Sequence, residues 1–456
     1  RLIGMVRVLP VQLFKELRTK QPVIEFPDLK MYMVTLDEDV RNMLNQPTVF
    51  SVRDYRDRMQ PGVGEYMLNR DADAAVTPYD YYNIKEKAWM RKLMSPADYP
   101  RVQEIVRNST SYAIANRTSS DGTLELVSQV GRVVPVELVQ TYIGFPASVD
   151  ELQSWSYRTQ DSFFHNVALR RSPDSFEEYF AAILGSLNSD LRARQKEAKY
   201  VQEQGVLAGK EMHDFLRKHI QYNEAYLKNP ETDTILSRMI KLDSIDIDGA
   251  ENGETARDRV RTSIIGGLVG AVETSNAAVV QSVNQLLKMP NVLAQAKAAA
   301  RSIRNSDPIQ DSVFSDYVWE ALRFHPINPF VVRYIEKDTV INGVVLKKGH
   351  RVLIATQSAM NDPRRVYQPD QFIYDRPDAD REMNIGYGLH RCLGDYLAQI
   401  MIPEMVRQVI LLPGLERVST DVAAPIEGLG VSANQGVFYG RRNSFPERYK
   451  IKYQKD

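Results

Sequence analysis

The pattern of apolar and polar positions changes along the chain from short extended runs to long helical repeats. Near the start, PVIEF and MYMVTL form two extended runs around Pro27 and Asp28, which predicts a β-hairpin. The next stretch, DEDVRNMLNQP, has acidic residues in its first turn and Pro47 at its end, which predicts a short helix. Between about 52 and 84 periodicity is weak and Asp, Arg, Tyr and Gly are frequent, so we predict a long loop there.

Helical spacing dominates from about residue 85 to 290, with breaks near SPADYP, FPAS, RRSPD and LDSIDIDGAENGE. After Pro290, SDYVWEALRFH predicts a further helix. The stretch VVRYIEKDTVINGVVLKKGHRVLIA then alternates around Asn342 and Gly343, which predicts a hairpin, and the tail GVFYGRRNSFPERYKIKY predicts a second small sheet. The chain is therefore predicted to be mainly α with small β-sheets.

Composition and charge fit a folded protein without a strongly charged surface. Apolar residues make up 43% and charged residues 25% of the 456 residues, which is close to ordinary globular usage and predicts a sizeable core. Lys plus Arg and Asp plus Glu both total 58. No overall charge therefore favours nucleic acid or an acidic membrane surface as a partner.

The sequence contains no run of about 18 apolar residues, which a membrane-spanning helix would need, and its first twenty residues are mixed amphipathic. We therefore expect a soluble, cytoplasmic, monomeric protein. Because the chain begins at Arg1 rather than at a methionine, an anchor or targeting segment removed from its start is compatible with this sequence.

The single cysteine of the chain, Cys392, narrows the possible chemistry. One cysteine forms neither an internal disulfide nor a zinc or iron-sulfur site built on several thiolates. Cys392 is therefore a packing residue, a nucleophile or a lone metal ligand. Free cysteine is among the most buried residue types, which favours packing when this residue is considered by itself.

The surroundings of Cys392 favour a ligand. The segment IGYGLHRCLG, residues 385–394, leads directly into the helical stretch DYLAQIMIPEMVRQVILL. A glycine-rich turn before a helix N-terminus supplies the amide donors and positive potential that a thiolate needs. Gly388 and Gly394 would also let the backbone approach a flat cofactor. The alternative is a glycine turn before a surface helix that happens to contain a cysteine.

At this segment the chain resembles the cytochrome P-450 superfamily, whose cysteine loop carries Gly, a basic residue, Cys and Gly at alternate positions. Gly388, His390, Cys392 and Gly394 fall in that register, whereas Ile385 stands where the family usually has Phe. The resemblance implies the cytochrome P-450 fold, as one domain over 1–456 instead of the several domains that the length suggests, and a b-type haem with Cys392 as axial ligand. Ile385 puts the tuning of the iron in doubt.

A second part of the resemblance is a buried ion pair. Glu320 and Arg323 lie three apart on a predicted helix, a spacing that usually gives a solvated surface pair. In the family such a pair is buried and joined by an arginine before the cysteine loop, and Arg376 in PDQFIYDRP matches that arginine. The resemblance implies a structural role for all three residues.

The third part is the long helix RDRVRTSIIGGLVGAVETSNAAVVQSVNQLL, near 258–289, which resembles the helix that crosses above the haem. Interior glycines weaken a helix and usually have a packing or functional reason. By resemblance, Gly270 would lie against the cofactor, Thr274 would position dioxygen and a water molecule, and Glu273 would deliver protons. The alternative is a kinked core helix with an incidental threonine.

Buried haem propionates need cationic partners. By resemblance these are Arg91 in AWMRKLMSP, Arg333 in PINPFVVR, and His390. The match at Arg91 is the weakest of the three, because the tryptophan of that helix is not at the family's commonest spacing from the arginine. Each residue is otherwise an ordinary surface charge.

The activity implied by the resemblance is insertion of one oxygen atom from dioxygen into a predominantly hydrophobic small molecule. Electrons would come from a separate ferredoxin or flavodoxin type donor, docked on a proximal basic patch. The competing interpretation is that the charges of this patch serve surface solubility. The patch comprises Lys87, Lys92, Arg364 and Arg391. The expected pocket residues are Val269, Phe330, Val437 and Phe438, with 60–84, 163–167 and 327–331.

Two alternative functions stay open at this point. The first is a peroxygenase or a hydroperoxide-rearranging enzyme that uses the same haem without a reductase; such relatives generally lack the acid and threonine found here as Glu273 and Thr274. The second is a haem-based binding or sensing protein, in which a distal proton-delivery pair has no purpose.

Overall fold

A five-stranded sheet lies at one side of the protein, in the computed structural model that describes residues 10–64, 79–164, 189–242, 256–418, 438–439 and 445–455. The predicted hairpin is confirmed, because the first two strands pair antiparallel around a short 3-10 turn. The strands of this sheet, in spatial order, are β1 (Val23–Phe26), β2 (Met31–Val34), β8 (Arg351–Ile354), β5 (Val331–Ile335) and β3 (Phe50–Ser51). The central strands β2 and β8 run parallel and are buried along their whole length, so the sheet joins the start of the chain to its second half.

Helices make up most of the rest, as the periodicity predicts. In the first half of the described chain they are α1 (Pro10–Lys20), α2 (Asp37–Leu44), α3 (Arg53–Val63), α4 (Tyr79–Leu93), α5 (Tyr99–Arg117), α6 (Val133–Leu138) and α7 (Val149–Phe164). In the second half they are α8 (Ser189–Tyr222), α9 (Glu224–Lys228), α10 (Ile235–Lys241), α11 (Ala256–Leu287), α12 (Pro290–Ser302), α13 (Val313–Phe324), α14 (Thr356–Ala359) and α15 (Asp395–Ile410).

The core of the helical part is α11, which contacts α6, α7, α8, α13 and α15. Apolar residues lie on nearly all its sides, as expected of a helix surrounded by others. By length and hydropathy α11 is the one helix of the described ranges that would suffice to cross a membrane, and 78% of its most apolar window is buried inside the protein. Its hydrophobicity is thus accounted for by packing within this fold.

Segments of π-helix lie before and after α6, at Val127–Gly131 and Val139–Ile143. The first approaches α11 so closely that a Cβ atom at Gly131 would lie 2.4 Å from the Asn276 Oδ1 atom. Glycine at this position therefore leaves room for the Asn276 side chain of α11. The following residue, Arg132, is thereby held beside α11.

One prediction about local structure is wrong. The region from about 52 to 84 is not one long loop, because α3 occupies its first part and α4 begins at Tyr79; residues 65–78 lie outside the described residues. The sequence of α3 is highly polar and has Pro61 in its last turn, so its periodicity is weak. Tertiary contacts compensate, since Met59 and Val63 are buried in the helical core.

Two further predictions, a hairpin around Asn342 and a second small sheet in the tail, are confirmed. Asn342 and Gly343 both have positive φ, 47° and 77°, as a tight turn between β6 (Thr339–Ile341) and β7 (Val344–Leu346) requires. The tail forms small sheets, in which β10 (Phe438–Tyr439) pairs with β11 (Pro446–Arg448). The last strand, β12 (Lys450–Lys452), lies between β4 (Thr123–Glu125) and β9 (Glu416–Arg417).

An ion pair between α3 and β8 fixes the polar helix on the sheet. Asp54 accepts two hydrogen bonds of 2.7 Å from the Arg351 guanidinium, and both residues are buried. Asp54 also interacts electrostatically with the buried Arg58 of the same helix. One carboxylate therefore compensates two guanidinium groups in a region of low water content.

We predict that Asp54→Asn lowers the free energy of unfolding by about 3 kcal/mol or more, because removing one member of a buried pair leaves uncompensated charge. The matched control is Glu336→Gln, which neutralises the partner of the half-exposed Arg53 on the same helix; its expected cost is about 1 kcal/mol or less. Urea unfolding followed by circular dichroism measures both, and equal losses would contradict the assignment.

Candidate functional site

The loop that carries Cys392 is a closed turn held by its own backbone. The Cys392 amide donates to the Ile385 carbonyl at 2.9 Å and the Arg391 amide donates to the Gly388 carbonyl at 3.1 Å. Gly388 has φ of 70°, and a Cβ atom there would lie 2.6 Å from the Leu44 carbonyl oxygen at the end of α2. Only glycine satisfies both the backbone angle and this close approach.

The sulfur of Cys392 faces a confined space just before the N-terminus of α15. The side chain is accessible, yet its surroundings are poor in water, so burial raises the pKa of the Cys392 thiol. The Gly394 amide, which donates to the sulfur, and the nearby Lys87 ammonium act in the opposite direction. A thiol in such surroundings loses its proton when a bound metal cation stabilises the thiolate, so Cys392 is suited to be a metal ligand.

One face of α11 is open in the middle of an otherwise buried helix. Gly270 is exposed, and Gly267, Ala271 and Thr274 are half-buried, whereas the residues between them are buried. These four positions recur at helical spacing and so lie on one face. A Cβ atom at Gly270 would meet nothing within 4 Å. This small, mostly apolar face has room beside it for a flat group.

Thr274 and Glu273 differ in their surroundings although they are neighbours. The Thr274 hydroxyl, on the open face, donates to the Gly270 carbonyl one turn earlier. Glu273 points to the flank, is fully buried and pairs with Arg132, whose Nε and Nη2 atoms lie 2.8 and 3.0 Å from its oxygens. Burial raises the pKa of Glu273, and Arg132 opposes this increase.

Arg132 connects Glu273 to a chain of polar groups that sequence reasoning missed. The guanidinium lies over the Tyr157 ring, 5.5 Å from its centroid, and the Tyr157 hydroxyl donates to Glu447 Oε1 at 3.4 Å. No sequence signal relates these residues, because the Arg132 to Glu273 pair spans 141 positions. The close approach at Gly131 is what brings Arg132 to the helix.

The three expected propionate partners lie in different environments. Arg333 in β5 is buried and donates to the Val332 carbonyl at 2.8 Å, and His390 is half-buried within the cysteine loop. Arg91 in α4 is exposed. The Trp89 indole nitrogen of the same helix is buried and has no hydrogen-bond partner in the described part of the chain.

The expected proximal patch loses one of its members, because Lys87 does not lie on the surface. It is buried, and its ammonium donates to the carbonyls of Leu389 and Arg391, the second at 2.8 Å. Lys87 therefore belongs to the support of the cysteine loop and is not available to a docking protein. Lys92 and Arg364 are exposed as expected, and Arg391 is half-buried beside Asp395, 3.4 Å away.

The structure brings Glu320, Arg323 and Arg376 together in one buried cluster. Arg323 donates to both Glu320 oxygens at 2.8 and 2.9 Å, and Arg376 Nε donates to Glu320 Oε1 at 2.9 Å. Both guanidinium groups also donate to main-chain carbonyls, including that of Gln371. The cluster joins α13 to the segment that precedes the cysteine loop.

The positions of the expected pocket residues agree only in part with a pocket beside α11. Phe330 is half-buried beside the five-stranded sheet. Val269 does not lie on the open face of α11, because it is 100° around the helix from Gly270, is buried in the core and has its carbonyl bonded by the Gln160 amide. Val437 and the side chain of Phe438 lie outside the described residues.

The residues present fit a haem. Cys392 offers a thiol that is accessible inside the protein, α11 offers a face without side chains at Gly270, and Arg333 and His390 offer cationic or donor groups on two other segments. The buried Trp89 nitrogen is a further donor, and it has no acceptor among the described residues. A flat apolar ring with an axial thiolate and anionic side groups matches this set.

Comparison with known proteins also indicates a haem protein. The model of the family described as Cytochrome P-450 matches residues 198–411. Vitamin D(3) 25-hydroxylase of Pseudonocardia autotrophica is 23% identical over 410 residues, which cover 86% of this chain and 83% of that protein. Pulcherriminic acid synthase of Bacillus subtilis is 21% identical over 416 residues, covering 88% and 87%.

Solved structures agree on the fold. The crystal structure of CalO2 superposes with a TM-score of 0.71 at 18% identity, covering 98% of this chain and 97% of that one. Substrate-free CYP109E1 from Bacillus megaterium gives a TM-score of 0.71 at 18% identity, covering 98% of both chains. At such identity the likeness concerns the fold alone.

We predict that Arg132→Met lowers the free energy of unfolding by about 3 kcal/mol at pH 8, and that the loss shrinks as the pH falls to 5. Without Arg132 the pKa of the buried Glu273 rises further, so the folded state retains a proton that the unfolded state has released, and stability is lost as pH rises through that window. Urea unfolding at several pH values tests this.

The double variant Arg132→Met with Glu273→Gln serves as the control, because it removes both charges and should restore a flatter pH profile. A pH-independent loss in the single variant would show that Glu273 is not the group that Arg132 compensates.

Proposed function

Because the chain belongs to the cytochrome P-450 superfamily and is thus a haem-thiolate monooxygenase, we propose that it inserts one oxygen atom from dioxygen into a predominantly hydrophobic organic substrate, using electrons from a separate redox protein. The observation that carries the proposal is the accessible thiol of Cys392, set in a glycine turn at the start of α15. When bound, a haem with an axial thiolate supplies the activation of dioxygen, because the thiolate favours cleavage of the O–O bond.

The open face of α11 supports the distal role of Thr274. A hydroxyl that shares its proton with the Gly270 carbonyl leaves its oxygen lone pairs directed away from the helix axis, where they accept a hydrogen bond from water. Thr274 thereby orients a water molecule and holds a proton at Oγ1. The glycine beside it leaves space for that water.

Glu273 is the proposed proton carrier, and its pairing with Arg132 shapes how it acts. A carboxylate that is fully buried delivers a proton only if water or another group reaches it. Arg132 does not relay a proton itself, because it stays charged and contacts only the face of the Tyr157 ring; Tyr157 and Glu447 mark the side on which a route would lead outward. Movement of Arg132 would then expose Glu273 to that route.

A hydrophobic substrate is supported by the lining of the open face. Gly267, Gly270 and Ala271 present no polar side chain. Phe330, which directly precedes β5, is half-buried. Pockets of this kind bind the apolar body of a ligand and orient it with few polar contacts. The exposed Lys92 and Arg364 support docking of an acidic ferredoxin or flavodoxin.

A peroxygenase is the second candidate, and turnover distinguishes it. A monooxygenase of the proposed type requires a reductase pair, whereas a peroxygenase works faster with hydrogen peroxide alone. A haem-based sensor would turn over with neither. The presence of both Thr274 and Glu273 favours the monooxygenase, because its two-electron reduction of dioxygen takes up two protons that hydrogen peroxide already carries.

We predict that the reduced protein under carbon monoxide shows the red-shifted Soret band of thiolate ligation and that Cys392→Ala loses this band. The substitution removes the only sulfur of its kind in the chain, while haem binding by apolar contacts persists in part. Absorbance spectra of both proteins measure the effect. The same band in wild type and variant would overturn the assignment of Cys392.

We predict that Thr274→Ala retains its haem, its carbon monoxide spectrum and its substrate affinity but forms less product per electron pair, with more reductant diverted to peroxide. Acid-base contributions of this kind are about a hundredfold, reduced where water replaces the lost group. Thr274→Ser keeps the hydroxyl and serves as the control. Reductant, peroxide and product are measured together, and unchanged coupling in Thr274→Ala would refute this role.

A further inference from the structure

Lys87 makes the least expected contact of the site. It lies on α4, one helical turn before Arg91, and only 8% of its surface is exposed. Its ammonium donates to the carbonyls of Leu389 and Arg391, the residues on either side of His390. A single buried cation thus holds two peptide groups of the loop that ends in Cys392.

The bonding within the loop explains what Lys87 adds. The carbonyls of Ile385 and Gly388 are occupied by the amides of Cys392 and Arg391. Those of Leu389 and Arg391 face α4 and are joined through Lys87. Hydrogen bonds from a charged donor are stronger than neutral ones, and a buried carbonyl without a donor costs free energy. The lysine therefore fixes the conformation of the three residues that precede the sulfur.

Lys87 also acts on the sulfur through space. Its charge acts on the Cys392 sulfur in the same direction as the Gly394 amide and Arg391, and in the opposite direction to the Asp395 carboxylate. A positive charge in a region poor in water stabilises negative charge on a nearby thiolate and reduces electron donation from sulfur to a metal. Arg391 is half-buried and shared with Asp395 and Glu382, so its charge is largely compensated.

We propose that Lys87 is a positioning residue of the proximal side, which holds the Leu389 to Arg391 backbone in place and raises the reduction potential of the iron that Cys392 ligates. The inference rests on the proposed function in that Cys392 is taken as the ligand. It assigns to Lys87 a role that the motif at Cys392 does not contain.

The experiment compares holoprotein variants of Lys87. Lys87→Met keeps the length of the side chain and removes both the charge and the donors. It should shift the ferric-to-ferrous equilibrium about tenfold toward ferric, ~59 mV for a one-electron couple, and the red-shifted carbon monoxide band should decay about tenfold faster on mild warming. Lys87→Arg, which retains charge and donors, should restore both properties most of the way to wild type.

Lys92→Met is the matched control, because it removes an exposed ammonium from the same helix; its potential and band lifetime should equal those of wild type. If Lys87→Met does not retain haem, Lys87→Gln, whose amide keeps two donors without charge, takes the same two measurements. A potential in the neutral variants equal to that of wild type overturns the electrostatic role. A band lifetime in Lys87→Met equal to that of wild type overturns the positioning role.

Failure of the proposed function gives a different result. A wild-type protein without the red-shifted band would remove Cys392 as ligand before any lysine variant is compared. A wild-type protein with the band, and a Lys87→Met variant indistinguishable from it, would leave the function intact and refute the role of Lys87.

Discussion

A helix that is apolar on nearly all sides must be covered on nearly all sides, and the cover of α11 determines the architecture of this protein. Its neighbours include α6, α7, α8, α13 and α15, and glycine at position 131 leaves room for the Asn276 side chain of α11. The cover is incomplete along one face, at Gly267, Gly270, Ala271 and Thr274. Because leaving apolar surface uncovered is unfavourable, an opening in the middle of such a helix is typical of a binding site.

Buried charges connect the parts of the chain around that helix. Three of them are compensated by a group distant in sequence: Glu273 by Arg132, Glu320 by Arg376, and Asp54 by Arg351. Buried ion pairs contribute little net stability but are costly to break. They therefore specify which segments meet. At Lys87 the same principle operates with backbone carbonyls in place of a carboxylate.

The sequence predicted the features that are local. The Asn342 and Gly343 turn, the α13 helix and the glycine-rich loop around Cys392 all follow from residues adjacent in the chain. Helix α3 was missed because contacts with distant residues, and not its own periodicity, stabilise it. Arg132 and the bonds of Lys87 were missed for a similar reason, since neither forms part of a spacing pattern. Val269, which the resemblance places in the pocket, is buried in the core, because its position on α11 points away from the open face.

The contact of Gly388 with the Leu44 carbonyl links the cysteine loop to the amino-terminal part of the chain. Arg41, also on α2, lies over the Tyr387 ring and donates to Glu382 at 2.5 Å. Local opening of α2 therefore requires the loop to lose part of its support. Any cofactor held by the loop then adds its binding free energy to the cost of that opening. Amide protons of α2 become reporters of occupancy at a site to which α2 contributes no ligand.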